Sequence, residues 1–162
     1  MAQIRIHRDG TVEAMSGTQD IGGGARTVVL LLVSREFGYL PLEKIRVRVG
    51  DSDFGASGAS AGSSTTGMVT MEIQKAAKSV RDKFFEEIAG KMKAKSGDLE
   101  VREGGRIGLR GREQSIPWDE ACGFLRDSVL GHVPTIVDPD AQWCVVTDDG
   151  EFEQASEENY RA

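Results

Sequence analysis

The stretch Gly17-Thr18-Gln19-Asp20-Ile21-Gly22-Gly23-Gly24-Ala25-Arg26-Thr27-Val28-Val29-Leu30-Leu31-Leu32-Val33-Ser34-Arg35-Glu36-Phe37 changes character halfway along. Its first half is a glycine loop, and from Thr27 to Val33 it is almost continuously apolar. A Val-rich run reads as either a buried strand or a buried helix. Its length, and Ser34-Arg35-Glu36 ahead of Gly38, favour a helix over residues 26–37. A helix this apolar is expected to be buried on most sides.

On the N-terminal side, Ile4 and Ile6 alternate with Arg5 and His7, Asp9-Gly10 supplies a tight turn, and Val12 and Ala14 resume the alternation. This is a β-hairpin pattern. On the C-terminal side, Ile45, Val47 and Val49 alternate with Arg46 and Arg48, a half-buried strand that ends at Gly50-Asp51. No apolar pattern then appears until Thr65, and a connection of that length inside a compact domain is functional or disordered. Ile73, Ala77, Val80, Phe84, Ile88 and Met92 then recur at i+3/i+4 spacing, which predicts a long helix over residues 66–93. Leu99 and Val101, a Gly104-Gly105 turn, then Ile107 and Leu109 make a second hairpin. Pro117 suits the first turn of a helix carrying Trp118, Ala121 and Leu125. Residues 143–147 read as a short strand, and the residues after Asp148-Asp149-Gly150 are acidic and expected to fray. The expected fold is α+β, a small sheet built from hairpins packed against two main helices. Residues 1–147 form the domain and residues 148–162 an acidic C-terminal tail.

The chain has 162 residues, 39% of them apolar and few aromatic, so the core must rest on aliphatics, Ala and Met. Its net charge of −6 argues against a general nucleic-acid or membrane-surface role, and no apolar run approaches the ~20 residues of a membrane span. Cys122 and Cys144 lie far apart with no CxxC spacing, which favours reduced thiols in a cytoplasmic setting over a disulfide.

Two loops carry the candidate chemistry. Gly22, Gly23, Gly24 and Ala25 lead into the first helix, and Ser60, Ala61, Gly62, Ser63, Ser64 and Thr65 lead into the second. A helix start leaves its first amides unpaired, and such amides bind phosphates and other anions. Glycine permits close approach of a ligand to the backbone. Arg26 offers a charge-assisted contact, and the serine and threonine hydroxyls offer donors and acceptors toward a heterocycle. The plain alternative for each loop alone is a turn followed by an N-cap. Neither is a P-loop, since the Gly-Lys-Ser/Thr ending is missing, and neither matches GxGxxG after a first strand. Two such loops in one chain imply a ligand with an extended polar spine gripped at two points.

The string Gly17 through Val28, followed by Pro41-Leu42-Glu43-Lys44-Ile45-Arg46-Val47, Gly50-Asp51-Ser52-Asp53 and Gly58-Ala59-Ser60-Ala61-Gly62-Ser63-Ser64-Thr65-Thr66, resembles the molybdenum-cofactor-binding subunit of the xanthine dehydrogenase/aldehyde oxidase family. The second hairpin and Ile116-Pro117-Trp118-Asp119-Glu120-Ala121 extend the resemblance to about residues 3–121. It implies a bound molybdopterin, often extended as the cytosine dinucleotide. Ile21-Gly22-Gly23-Gly24 lies over the family's Met-Gly-Gln-Gly loop, with Gly23 in place of the glutamine, so a side-chain amide is exchanged for backbone contacts alone. The serine loop corresponds to the family's pterin-holding loop. The family's substrate-side glycine loop and its glutamate base have no counterpart here, and Glu43, Glu72 and Glu113 do not match the glutamate motif. The resemblance therefore implies a cofactor-binding segment of a molybdenum hydroxylase, an oxidoreductase not catalytically complete alone. Its partners would be the rest of the molybdenum subunit and iron–sulfur and FAD modules. The chain is expected to be a piece of such a subunit or a short stand-alone relative.

Two other readings compete. One is a binding or interaction module that keeps the fold without cofactor, and the other is a nucleotide-phosphate binder unrelated to molybdenum. His7 and His132 lack partners at metal-ligand spacing, and Cys122, Met68, Met71 and Met92 read as core or interface residues. No catalytic residue and no metal site is assigned.

Overall fold

The alternation at the N-terminus gives two strands, β1 (Ala2–Ile6) and β2 (Val12–Ser16), paired antiparallel with Ile4 opposite Ala14. Their turn is held by Thr11 N–H donating to Asp9 Oδ1 at 2.9 Å. Ala2, Ile4, Ile6, Val12 and Ala14 are fully buried on one face, while Arg5 and Glu13 share the other. The computed structural model describes residues 2–54, 57, 60, 62, 64–133, 144–146 and 152–154. The expectations for Ala61, Ser63 and most of residues 148–162 lie outside these.

The glycine loop leads into helix α1 (Ala25–Glu36), which returns the chain to β3 (Ile45–Val49). β3 pairs with β2 in parallel, Ala14 opposite Val47. Helix α2 (Thr65–Ala89) comes next along the chain. A second, antiparallel sheet is built from β4 (Leu99–Val101), β5 (Ile107–Leu109) and β6 (Ser115–Ile116), and leads to the short helix α3 (Trp118–Gly123). β7 (Val129–Val133) returns to the first sheet beside β1, giving the order β3-β2-β1-β7. β8 (Cys144–Val146) and β9 (Phe152–Gln154) pair with each other.

The architecture is two-layered: α1 and α2 pack side by side on the buried face of the four-stranded sheet, with one continuous core between the layers. The periodicity of α2 is decisive, because Ile73, Ala77, Val80, Phe84 and Ile88 are all buried and Met92 packs at the margin. At the far end, Trp118 stacks at 5.5 Å from Phe37 and 5.2 Å from Phe84, and its Nε1 donates to the Gly10 carbonyl at 2.8 Å. One aromatic cluster thus ties the first turn, both helices and α3 together.

Four details differ from expectation. The first sheet is not purely hairpins, since β2-α1-β3 is a parallel crossover. α1 is not buried on most sides: Val29 and Val33 are buried, but Leu31 is 54% exposed, because the helix is covered only by the sheet and α2. Met71 is likewise 57% exposed and does not fill the core. The acidic stretch after residue 147 contains a paired strand, β9.

Candidate functional site

Both main helices begin without help from an acidic side chain. Gly24 is the N-cap of α1 in the left-handed region (φ 75°, ψ 23°), a conformation that disfavours any residue with a Cβ, and no side chain caps the helix. Ser64 occupies the N-cap of α2 in a right-handed conformation, and its side chain does not cap either. Neither helix has an Asp or Glu in its first turn, although Ser, Thr, Asp and Asn are the usual caps and acids the usual complement to the dipole. The helical ladder starts with Val28 N–H to the Gly24 carbonyl and Met68 N–H to the Ser64 carbonyl, so the amides of residues 25–27 and 65–67 precede it.

The two starts share one cavity of about 520 Å³. The first loop contributes Gln19, Ile21, Gly22, Gly23 and Ala25 to its lining, the second Ser60, Gly62, Thr65 and Thr66. A Cβ built at Gly23 would lie 4.0 Å from Thr66 Oγ1, which measures how closely the first loop stands to the start of α2. Around Gly22 and Gly62 there is open space. The Ser60 hydroxyl is buried and has no hydrogen-bond partner among the described residues. Such a group costs about 1–3 kcal/mol unless something satisfies it.

Of the residues the sequence pointed to, Gly22, Gly23, Ala25, Ser60, Gly62 and Thr65 come together on this cavity. Gly24 and Ser64 sit behind it as the N-caps. Arg26 is directed elsewhere: its Nη2 donates to the Val49 carbonyl at 3.0 Å and its Nε lies 3.4 Å from Asp20. Asp20 also accepts from Gly22 N–H at 3.3 Å, so this carboxylate is matched by a cation and an amide. Gln19, Ile21 and Thr66 lie within the two quoted loops but were not among the candidate binding residues. The available signal was Ile21, an apolar residue inside a glycine loop, now 67% exposed at the cavity.

The titratable residues elsewhere do not gather into a reactive site. His7 Nε2 is 3.5 Å from Glu13 on the open face of the sheet. Burial, chiefly, pushes the Cys122 thiol well above its ordinary range and keeps it protonated. Glu43, Glu72 and Glu113 do not line the cavity. Among the described residues no cluster of His, Cys, Asp or Glu has the makings of a metal site, and no helix is long and apolar enough to cross a membrane.

A two-layer α/β domain in which two helix starts share a glycine/serine-lined cavity has the geometry suited to an anionic, extended ligand. Residues 1–149 match the family model described as molybdopterin cofactor-binding domain, and the chain belongs to that family. Among solved structures it resembles the Cu,Mo-CO dehydrogenase in its carbon-monoxide-reduced state (TM-score 0.67, 24% identity, covering 82% of this chain and 18% of that one). It also resembles the reconstituted CO dehydrogenase from Oligotropha carboxidovorans (0.67, 24%, 83% and 18%). A third likeness is quinoline 2-oxidoreductase from Pseudomonas putida 86 (0.64, 19%, 83% and 19%). These likenesses are of fold, and the chain spans less than a fifth of the length of each. No curated protein matches it significantly.

Proposed function

We propose that this chain is the part of a molybdenum hydroxylase that grips molybdopterin, or its cytosine dinucleotide, at the cavity between the starts of α1 and α2. Backbone amides of Gly23 and Ala25 would meet the anionic groups, and the hydroxyls of Ser60, Thr65 and Thr66 the polar edge of the ring system. When bound, the cofactor supplies the two-electron redox chemistry by which enzymes of the xanthine dehydrogenase/aldehyde oxidase type hydroxylate an aldehyde or N-heterocycle carbon with oxygen from water. The chain's own residues bind and orient, and none moves a proton. The base and the substrate channel would lie in the remainder of the molybdenum subunit, with iron–sulfur and flavin subunits or domains completing a cytoplasmic assembly.

The observation that carries this reading is the buried Ser60 hydroxyl, without a hydrogen-bond partner among the described residues, on a cavity lined by both helix starts. The test is retention of molybdopterin fluorescence on the chain after gel filtration. Wild type retains it, and Ser60→Val combined with Thr65→Val loses most of it. Equal retention by the double variant, or none by wild type, sinks the proposal. Competition by CTP but not ATP would assign the cytosine extension.

A further inference from the structure

A second concavity lies away from the cofactor cavity. A groove of about 1330 Å³ runs along the last third of α2, between it and residues 123–129. Lys83 is 18 residues beyond Thr65, about 27 Å at the helical rise, so the groove is not an extension of the cofactor cavity. Arg8, Lys83, Lys91 and Arg126 line it together with Glu86 and Glu87, a local excess of two positive charges in a chain of net −6. Lys83 is anchored, its Nζ donating to the Leu130 carbonyl at 3.0 Å. The side chains of Arg8, Lys91 and Arg126 are exposed and make no ion pair or hydrogen bond among the described residues. Between these cations the groove has an apolar floor, with Leu125 buried and Phe124 and Val129 half-buried.

We infer that this groove is a docking site for an acidic polypeptide segment of a partner protein, with apolar residues interspersed among its carboxylates. Its volume exceeds the roughly 300–1,000 Å³ of small-molecule sites, which points to a chain segment. Glu86 and Glu87 break the cationic lining, which disfavours a phosphate backbone, whose binding scales with an unbroken run of neutralising cations. A peptide spaces its carboxylates along the chain and sets apolar side chains between them, which suits separated cations over an apolar floor. Complementarity of this kind governs encounter rate and partner choice.

The experiment is fluorescence anisotropy of a labelled peptide alternating Glu and Leu, titrated with the full chain at low ionic strength. Wild type binds it, and binding weakens as salt rises. Arg8→Glu, Lys91→Glu and Arg126→Glu together weaken it about tenfold. Glu86→Gln with Glu87→Gln tightens it, an outcome that loss of folding cannot mimic. No binding by wild type, unchanged binding by the triple variant, or equal binding of a Ser/Leu peptide or of inorganic polyphosphate overturns the inference.

Discussion

At the scale of single residues, packing leaves no room for a side chain at Gly131. It lies in β7 opposite Ile4 and faces α2, where an added Cβ would come within 2.5 Å of Val80 Cβ and 2.7 Å of the Ala76 carbonyl. The obstacles are helix backbone and a β-branched side chain, neither of which yields by rotating a flexible end. Gly131→Ala should cost about 1–3 kcal/mol by overpacking, lowering Tm by roughly 2–4 °C per kcal/mol for a chain of this size. A thermal melt within about 1–2 °C of wild type, on the order of experimental scatter, would mean that β7 lifts from α2 freely. Cys122 offers a second test. It is wholly buried, and its thiol is held protonated, so peptide mapping should find it unalkylated by iodoacetamide in the native chain and modified once urea unfolds it.

At the scale of elements, one ion pair fastens the 3-10 turn before β3 to α3: Lys44 Nζ is 2.8 Å from Asp119 Oδ1. The hydrogen bond to Asp119 raises the Lys44 pKa above its ordinary 10.5. A raised lysine pKa in the folded state means that the pair's stabilisation is fully present below about 10.5 and is lost as pH rises through the folded value. Wild type should therefore lose more stability than Lys44→Met between neutral pH and about pH 11–12, by less than about 1 kcal/mol for so exposed a pair. Parallel urea titrations of the two proteins would measure it. Trp118 joins the same elements more strongly. Trp118→Phe keeps much of the stacking and loses the bond to Gly10, a cost of about 1 kcal/mol, whereas Trp118→Ala should cost about 3–5 kcal/mol. These elements differ in how plainly the sequence announced them. The i+3/i+4 rhythm of α2 and the period-two alternation of β1 and β3 were readable because each face meets a single environment. The parallel pairing of β2 with β3 was not, since alternation says which face is buried and nothing about strand direction. The exposure of Leu31 was hidden for a similar reason: an apolar run reports what a helix tolerates, and only the neighbouring layer decides what is covered.

At the scale of the whole molecule, the site is a product of topology. Each loop was legible alone as glycine or serine ahead of a helix. Their meeting was not, because more than thirty residues separate Gly22 from Ser60 and only the β2-α1-β3 crossover sets the start of α1 beside that of α2. The buried Ser60 hydroxyl, without a hydrogen-bond partner among the described residues, is a still subtler feature, invisible until both loops are in place. A ligand that touches both loops must then act on both at once. At a hundredfold excess over Kd, binding to the folded chain alone adds ~2.7 kcal/mol, a rise in Tm of about 5–11 °C. Amide exchange should slow together at residues 22–28 and 65–70 when molybdopterin is added, while β4, β5 and β6, remote from the cavity, keep their rates. Protection confined to one of the two segments would mean that the cavity is gripped from one side only, and the two-point hold would have to be abandoned.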